Sequence, residues 1–394
     1  MKLSKKAERI QQSVTLAITA KAKEMKANNI DVISFGAGEP DFNTPNNIIE
    51  AAIVAMKDGN TKYTATSGIL SLREAICKKF KEDNGLVYTP SQIVVSTGAK
   101  QSLANIFLAI INDGDEVIIP KPYWVSYPEL VSLAGGIPVY CNSSIENEYK
   151  YNKDNIEVLI NDRTKAIVLN SPNNPTGVVY SKEELMDIAE IAKKYNLLII
   201  SDEIYEKLIY DEEKHISIAS ISKDAYDRTI VINGLSKSYA MTGWRLGYTA
   251  CSEKIAKLMT NLQSHMTSNT CSITQYAAVE ALTGPQEQIK VMVSEFEKRR
   301  DYMVETLSQM KNISIIKPKG AFYVMVNIEK FIGKDFNGKK VTDSVSFASV
   351  LLEEEKVAVI PGAAFGLENY IRLSYATSME NIKEGLERIK KFIE

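Results

Sequence analysis

The stretch QIVVSTGAKQSLANIFLAIINDGDEVIIP, residues 92–120, reads as strand, glycine turn, helix, turn and strand. Its first apolar run is short and unbroken, whereas the apolar residues from Ala99 to Ile111 recur at helical spacing. Four more runs of strand length follow: GGIPVYC (135–141), TKAIVLNSP (164–172), LLIISDEIY (197–205) and TIVINGLSK (229–237). Between two of them, SKEELMDIAEIAKKY (181–195) opens with Ser181 and places Glu184 three residues on, a capping box that marks a helix start. Continuously apolar strands separated by helices predict an α/β domain with a mainly parallel sheet wrapped by helices. We place this large domain at residues 42–284.

Beyond Gly284-Pro285 the pattern changes. A long helical stretch (286–307) is followed by GAFYVMVNI (320–328), a helix around 344–355, VAVIP (357–361), YIRLSYA (370–376) and a closing helix. This mixture predicts a smaller α+β domain of residues 285–394, completed by the N-terminal segment 1–41. The 394 residues exceed what one hydrophobic core usually fills, which agrees with two domains.

Lys+Arg number 47 against Asp+Glu 49, a net charge of -2, so no bulk positive field attracts nucleic acid or an anionic membrane. The four cysteines are widely spaced with no CxxC pair, and His215 and His265 stand outside any HExxH. That spacing predicts reduced thiols and neither a zinc ribbon nor a histidine-built metal site. No run approaches the ~20 apolar residues of a membrane span, and the N-terminus has no apolar signal core. The expectation is a soluble cytoplasmic protein with no metal.

Ligands of open α/β sheets sit beyond the carboxyl ends of the strands, and here those ends are chemically loaded. The first run ends in Thr97-Gly98-Ala99-Lys100 at a helix start, where backbone N–H groups and the helix dipole can meet an anion. The bland alternative is an ordinary tight turn. Asn173 and Asn174 stand between prolines, a pattern that usually serves as a turn device. Asp202 and Tyr205 follow an apolar run; buried, the carboxylate needs a cationic partner, and otherwise it is an N-cap or turn residue. Lys237, with Arg245 after it, is either a solvated lysine or an amine with a lowered pKa. Together an anion cradle, a buried acid and a lysine on one sheet edge match pyridoxal phosphate, whose aldehyde condenses with lysine and whose ring nitrogen needs a carboxylate.

At these residues the chain resembles the class I, fold-type I pyridoxal-phosphate aminotransferases, and among them the bacterial-branch aspartate aminotransferases. The resemblance runs from GAGEPDFNTP (36–45) through SPNNPTG, SDEIY and SKSYAMTGWRLGY to YIRLSYATS (370–378). It implies that Lys237 condenses with the cofactor and moves the substrate's α-proton, that Asp202 keeps the ring nitrogen protonated, and that Tyr205 and Asn174 bond the ring's phenolic oxygen. Trp124 resembles the aromatic plate on the ring, with a core tryptophan as the competing reading. Gly98, Ala99, Ser236 and Arg245 would hold the phosphate. Animal members carry a serine where this chain has Gly234, so one phosphate contact is missing or replaced. Tyr63 resembles the tyrosine that reaches the neighbouring subunit's phosphate, which implies a homodimer with shared active sites.

By the same resemblance Arg372 clamps the substrate α-carboxylate, assisted by Asn174 and Gly38; a strand-edge salt bridge is the alternative. No second arginine for a distal carboxylate is evident, but Lys100 occupies the position that bacterial relatives use, although it reads equally as a solvated lysine. Ser13 and Thr15 match small hydroxyls near the substrate. The expected reaction is amino transfer from L-aspartate to 2-oxoglutarate, giving oxaloacetate and L-glutamate. Alternatives are aromatic or alanine-type substrates. Prephenate is disfavoured, because relatives that accept it carry a basic residue near Gln11 and Gln12. A cofactor-binding transcription regulator would need a basic reading head, a nucleotide-dependent oxidoreductase would need a GxGxxG after a strand, and Ser220–Lys223 matches SxxK without its partner motifs.

Overall fold

The computed structural model describes residues 3–4, 7–8, 10 and 14–394, without the side chains of 14–17 and 19. In chain order, β1 (Ile33–Ser34) precedes β2 (Ile93–Ser96), β3 (Glu116–Lys121), β4 (Ile137–Asn142), β5 (Thr164–Asn170), β6 (Leu198–Asp202), β7 (Thr229–Gly234) and β8 (Gly247–Ala250). After the helix Glu287–Ser308 come β9 (Ser314–Ile315), β10 (Tyr323–Asn327), β11 (Asp335–Phe336), β12 (Lys339–Lys340), β13 (Val357–Ala358), β14 (Ile360–Pro361) and β15 (Tyr370–Ser374).

Strands β2 to β8 form one seven-stranded sheet in the order β2-β8-β7-β6-β5-β3-β4. Five of them are mutually parallel neighbours, while β8 runs antiparallel to both β2 and β7. The strand pleat splits the core into two layers. Val94, Val117, Ile119, Val168, Ile200, Ile230 and Ile232 pack with Leu103 and Phe107 of the helix Ala99–Ile110. Ile118, Ile167, Leu169 and Ile199 face the other way, against Leu185 and Ile188 of the helix Lys182–Lys194. Burial on both faces is why these strands read as unbroken apolar runs. Ser181 Oγ accepts the Glu184 N–H at 3.2 Å and Glu184 Oε2 the Ser181 N–H at 2.7 Å, so that helix starts at its capping box.

The smaller domain is built on an antiparallel sheet, β14-β15-β10-β9. VAVIP splits in two: β13 pairs with β1, and β14 pairs with β15. The N-terminal helix Val14–Ala27 lies on this part, with Ala22 packed among Val32, Leu352 and Ala358. This is the two-domain architecture expected from the sequence. No helix among the described residues is long and apolar enough to cross a membrane.

Candidate active site

The carboxyl ends of β2, β5, β6 and β7 open onto a cavity of about 420 Å³, closed on its other side by the small domain. The large domain contributes Ala99, Lys100, Trp124, Asn174, Asp202, Tyr205, Ser236, Lys237 and Arg245; the small domain and the segment before the large sheet contribute Gly38 and Arg372.

Asp202 ends β6, buried, and burial pushes its carboxyl up to about 6. Tyr127 donates to its Oδ2 at 2.8 Å and the Ile204 N–H to its Oδ1 at 3.2 Å; both bonds favour the ionised form. Within the chain this acid is bonded directly by a hydroxyl and an amide, and the charge of Lys237 adds a smaller favourable effect. Lys237 follows β7, and its Nζ donates to the Gly38 carbonyl at 2.7 Å. Burial lowers its pKa to about 8, with Arg245 and Arg372 adding to the effect and Glu39 and Asp202 opposing it. The lysine is thus an amine of which about a tenth is neutral at pH 7, far more than for an ordinary lysine.

Arg372 is 3% exposed, projecting from β15. Nη1 donates to Asn174 Oδ1 at 3.0 Å and Nη2 to the Gly36 carbonyl at 3.4 Å, whereas Nε is buried with no partner. No carboxylate neutralises it among the described residues, so it is not a strand-edge salt bridge. A buried guanidinium with an unused donor is a site for an anion. Gly38, read as an assistant to this arginine, lines the same cavity, and its carbonyl accepts from Lys237.

At the other end Arg245 anchors itself by Nη1 on the Thr242 carbonyl at 2.8 Å. The helix Ala99–Ile110 begins beside it, where the first amides have no intrahelical acceptor. The Gly98 N–H is already committed to the Ser96 carbonyl at 2.7 Å, which corrects its reading as an anion donor. Gly98 has φ 86° and leaves room: a Cβ there would meet Arg245 Nη2 at 2.6 Å. A Cβ on Gly247 would lie 2.3 Å from the Ala99 nitrogen, so glycine keeps this helix start bare. At Gly234 packing is tight as well, since a Cβ would sit 3.0 Å from the Gly247 Cα and the Leu246 carbonyl.

Trp124 lines the cavity, its ring edge-on to Tyr127, and the Lys100 ammonium lies 5.1 Å from its centroid. Partial burial, with help from Arg245, lowers the Lys100 pKa, although the residue remains exposed at the cavity mouth. Tyr63 is outside the cavity and 91% exposed. Ser13, like Gln11 and Gln12, lies outside the described residues; Thr15 is in the helix Val14–Ala27 but its side chain is not described. Sequence reasoning missed Tyr127 and Tyr323, whose apolar neighbours made them look like core, and Glu39, which accepts from Thr242 Oγ1 at 2.6 Å within the same cavity.

A lysine amine and a buried acid set between an anion cradle and an unpaired arginine suit amino-group transfer on an α/β scaffold. The chain belongs to the class I and II aminotransferases, whose family model matches residues 30–389. It is 52% identical over 391 residues to an aspartate aminotransferase of Bacillus sp. (strain YM-2), covering 99% of each chain. A probable aspartate/prephenate aminotransferase of Rickettsia felis is 48% identical over 391 residues, 99% of this chain and 96% of that one. Among solved structures, the aspartate aminotransferase from Thermus thermophilus with maleate superposes with a TM-score of 0.94 at 40% identity, covering both chains completely.

Proposed function

We propose that this protein is an aspartate aminotransferase, moving the amino group of L-aspartate to 2-oxoglutarate to give oxaloacetate and L-glutamate, with pyridoxal 5'-phosphate as cofactor. The observation that carries the substrate reading is that Arg372 and Lys100 line the same cavity as the Lys237 amine, so two carboxylates of one substrate can be paired at once. The Bacillus relative's name and the maleate in the Thermus structure support it.

The donor set suits the cofactor. Arg245, Ser236 and the amides of Ala99 and Lys100 would hold its phosphate, Trp124 would cover the ring, and Tyr205 and Asn174 would meet the phenolic oxygen. Pyridoxal phosphate supplies an aldehyde that takes up the amino group and a ring that accepts electrons when the α-proton leaves. Asp202 would hold a proton on the ring nitrogen by charge pairing. Lys237 Nζ would take the α-proton and return it, a task suited to an amine whose pKa is near 8. Arg372 would fix the α-carboxylate and Lys100 the distal one, while Ser13 and Thr15 would stand near the substrate.

We further propose a homodimer in which Tyr63 reaches the partner's phosphate; its near-complete exposure supports this. The domain limits 42–284, and 1–41 with 285–394, are likewise proposed, since every strand of the large sheet falls in the first range. A second reading, with prephenate also accepted, draws on the Rickettsia relative's name, and a direct prephenate assay decides it. The substrate assignment is tested by Lys100→Ala. The ratio of aspartate to alanine turnover should fall about tenfold or more, and an unchanged ratio removes its basis.

A further inference from the structure

Tyr323 has no part in the roles above, yet it touches the groups that carry two of them. In the small sheet Tyr323 lies opposite Ser374 and Met325 opposite Arg372, so Tyr323 and Arg372 are diagonal neighbours on one face. The Tyr323 ring centroid lies 4.2 Å from the Arg372 guanidinium carbon, and Phe365 presents a second ring at 4.9 Å. At its far end the Tyr323 hydroxyl lies 2.9 Å from that of Tyr205. Both tyrosines are buried, and the charged groups that act on the two hydroxyls are Arg372 and Asp202.

A hydroxyl has one proton. When Tyr205 directs its proton at the cofactor's phenolic oxygen, the contact with Tyr323 can be a hydrogen bond only if Tyr323 donates and Tyr205 accepts. Accepting one bond polarises the O–H that makes the next. We propose that Tyr323 is a positioning residue that donates to Tyr205, strengthening the bond Tyr205 makes to the cofactor, and that its ring is the floor on which Arg372 is held. A single side chain thereby ties the ring-binding tyrosine of the large domain to the carboxylate-binding arginine of the small one. The inference rests on the functional reading above.

The test uses holoprotein reconstituted with pyridoxal phosphate and reads the pH at which the chromophore's absorbance changes. A hydrogen bond to the phenolic oxygen is stronger in the proton-poor chromophore and holds this titration down. Tyr205→Phe should raise the midpoint. Tyr323→Phe, which keeps the ring, should raise it by a smaller amount, roughly 0.3–0.6 pH unit. Combined with Tyr205→Phe it should add nothing, because the donor it acts through is gone. A Tyr323→Phe titration that overlays the wild type, or a shift that persists in the Tyr205→Phe background, overturns the relay.

The floor is read separately with maleate as the probe. Tyr323→Phe should bind it within about twofold of wild type, and Tyr323→Leu about tenfold more weakly. Equal binding by all three overturns that half. A wild-type protein that stays colourless with the cofactor would refute the functional reading itself, whereas a coloured wild type that titrates like Tyr323→Phe refutes only this inference.

Discussion

The Tyr127 hydroxyl donates to Oδ2 of Asp202 at 2.8 Å, from a side chain that is 1% exposed. The bond is sealed from water and opposes the burial that pushes Asp202 up to about 6. The helix Ser126–Leu133, which carries Tyr127, therefore reaches under the sheet edge to hold the acid in its ionised form.

Replacing Tyr127 by Phe removes a bond made to the charged form, so the Asp202 pKa rises further. More of the carboxylate is then protonated at neutral pH and unable to pair with a ring nitrogen. Cofactor affinity, measured by equilibrium dialysis, should weaken about tenfold at pH 6.5 and much less at pH 8.5. An equal deficit at both pH values would show that Tyr127 acts by packing alone.

Lys237 makes a second prediction about pH. Burial leads the causes that bring its pKa to about 8, so its neutral fraction grows as pH climbs toward that value and then levels off. The initial rate of colour formation on mixing with pyridoxal phosphate should rise nearly tenfold per pH unit below about 8 and flatten above it. Lys237→Ala should yield no chromophore that borohydride fixes to the protein. A rate that keeps climbing to pH 10 would indicate an ordinary solvated lysine.

Behind the site, Lys79 of the helix Leu70–Asn84 forms a buried ion pair with Glu206, which also accepts from Asn84 Nδ2 at 3.2 Å. Burial pushes Glu206 up, but Lys79, His215 and Lys207 outweigh it and hold the acid down to about 2. A depressed folded-state pKa gives stability that is fully present above the unfolded value of 4.5 and is lost as pH falls toward 2. Its size is about 3 kcal/mol. Glu206→Gln should therefore destabilise the protein by about 3–5 kcal/mol at pH 7, read from urea unfolding. The gap from wild type should narrow below pH 4; a gap independent of pH would point to packing instead.

The strand ends were the legible part of this chain. Asp202, Asn174 and Lys237 each close or follow a run of residues buried on both faces, where a polar group has few structural excuses. Less legible were groups whose polarity sits at the tip of an apolar body. Tyr127 lies in YPELV and Tyr323 in AFYVM, and nothing in their neighbourhood separates a hydroxyl aimed at a carboxylate from one aimed at a carbonyl. β8 was hidden in a similar way, since GYTA is four residues long and follows a polar motif. The Gly98 amide could not be assigned from sequence, because whether a turn residue's N–H is free depends on backbone geometry that spacing does not encode.

Phe35 donates its N–H to the Ala358 carbonyl and accepts the Ser374 N–H at 2.9 Å, just ahead of the Gly36 carbonyl that Arg372 reaches. The segment after β1 and the strand β15, far apart in sequence, are thus stitched together at the cavity wall. A chain emerging from the ribosome can complete its large sheet early, but it cannot close this wall until β15 has been made. Until then a nascent copy has the lysine and the acid of the large domain but not the buried guanidinium that faces them across the cavity.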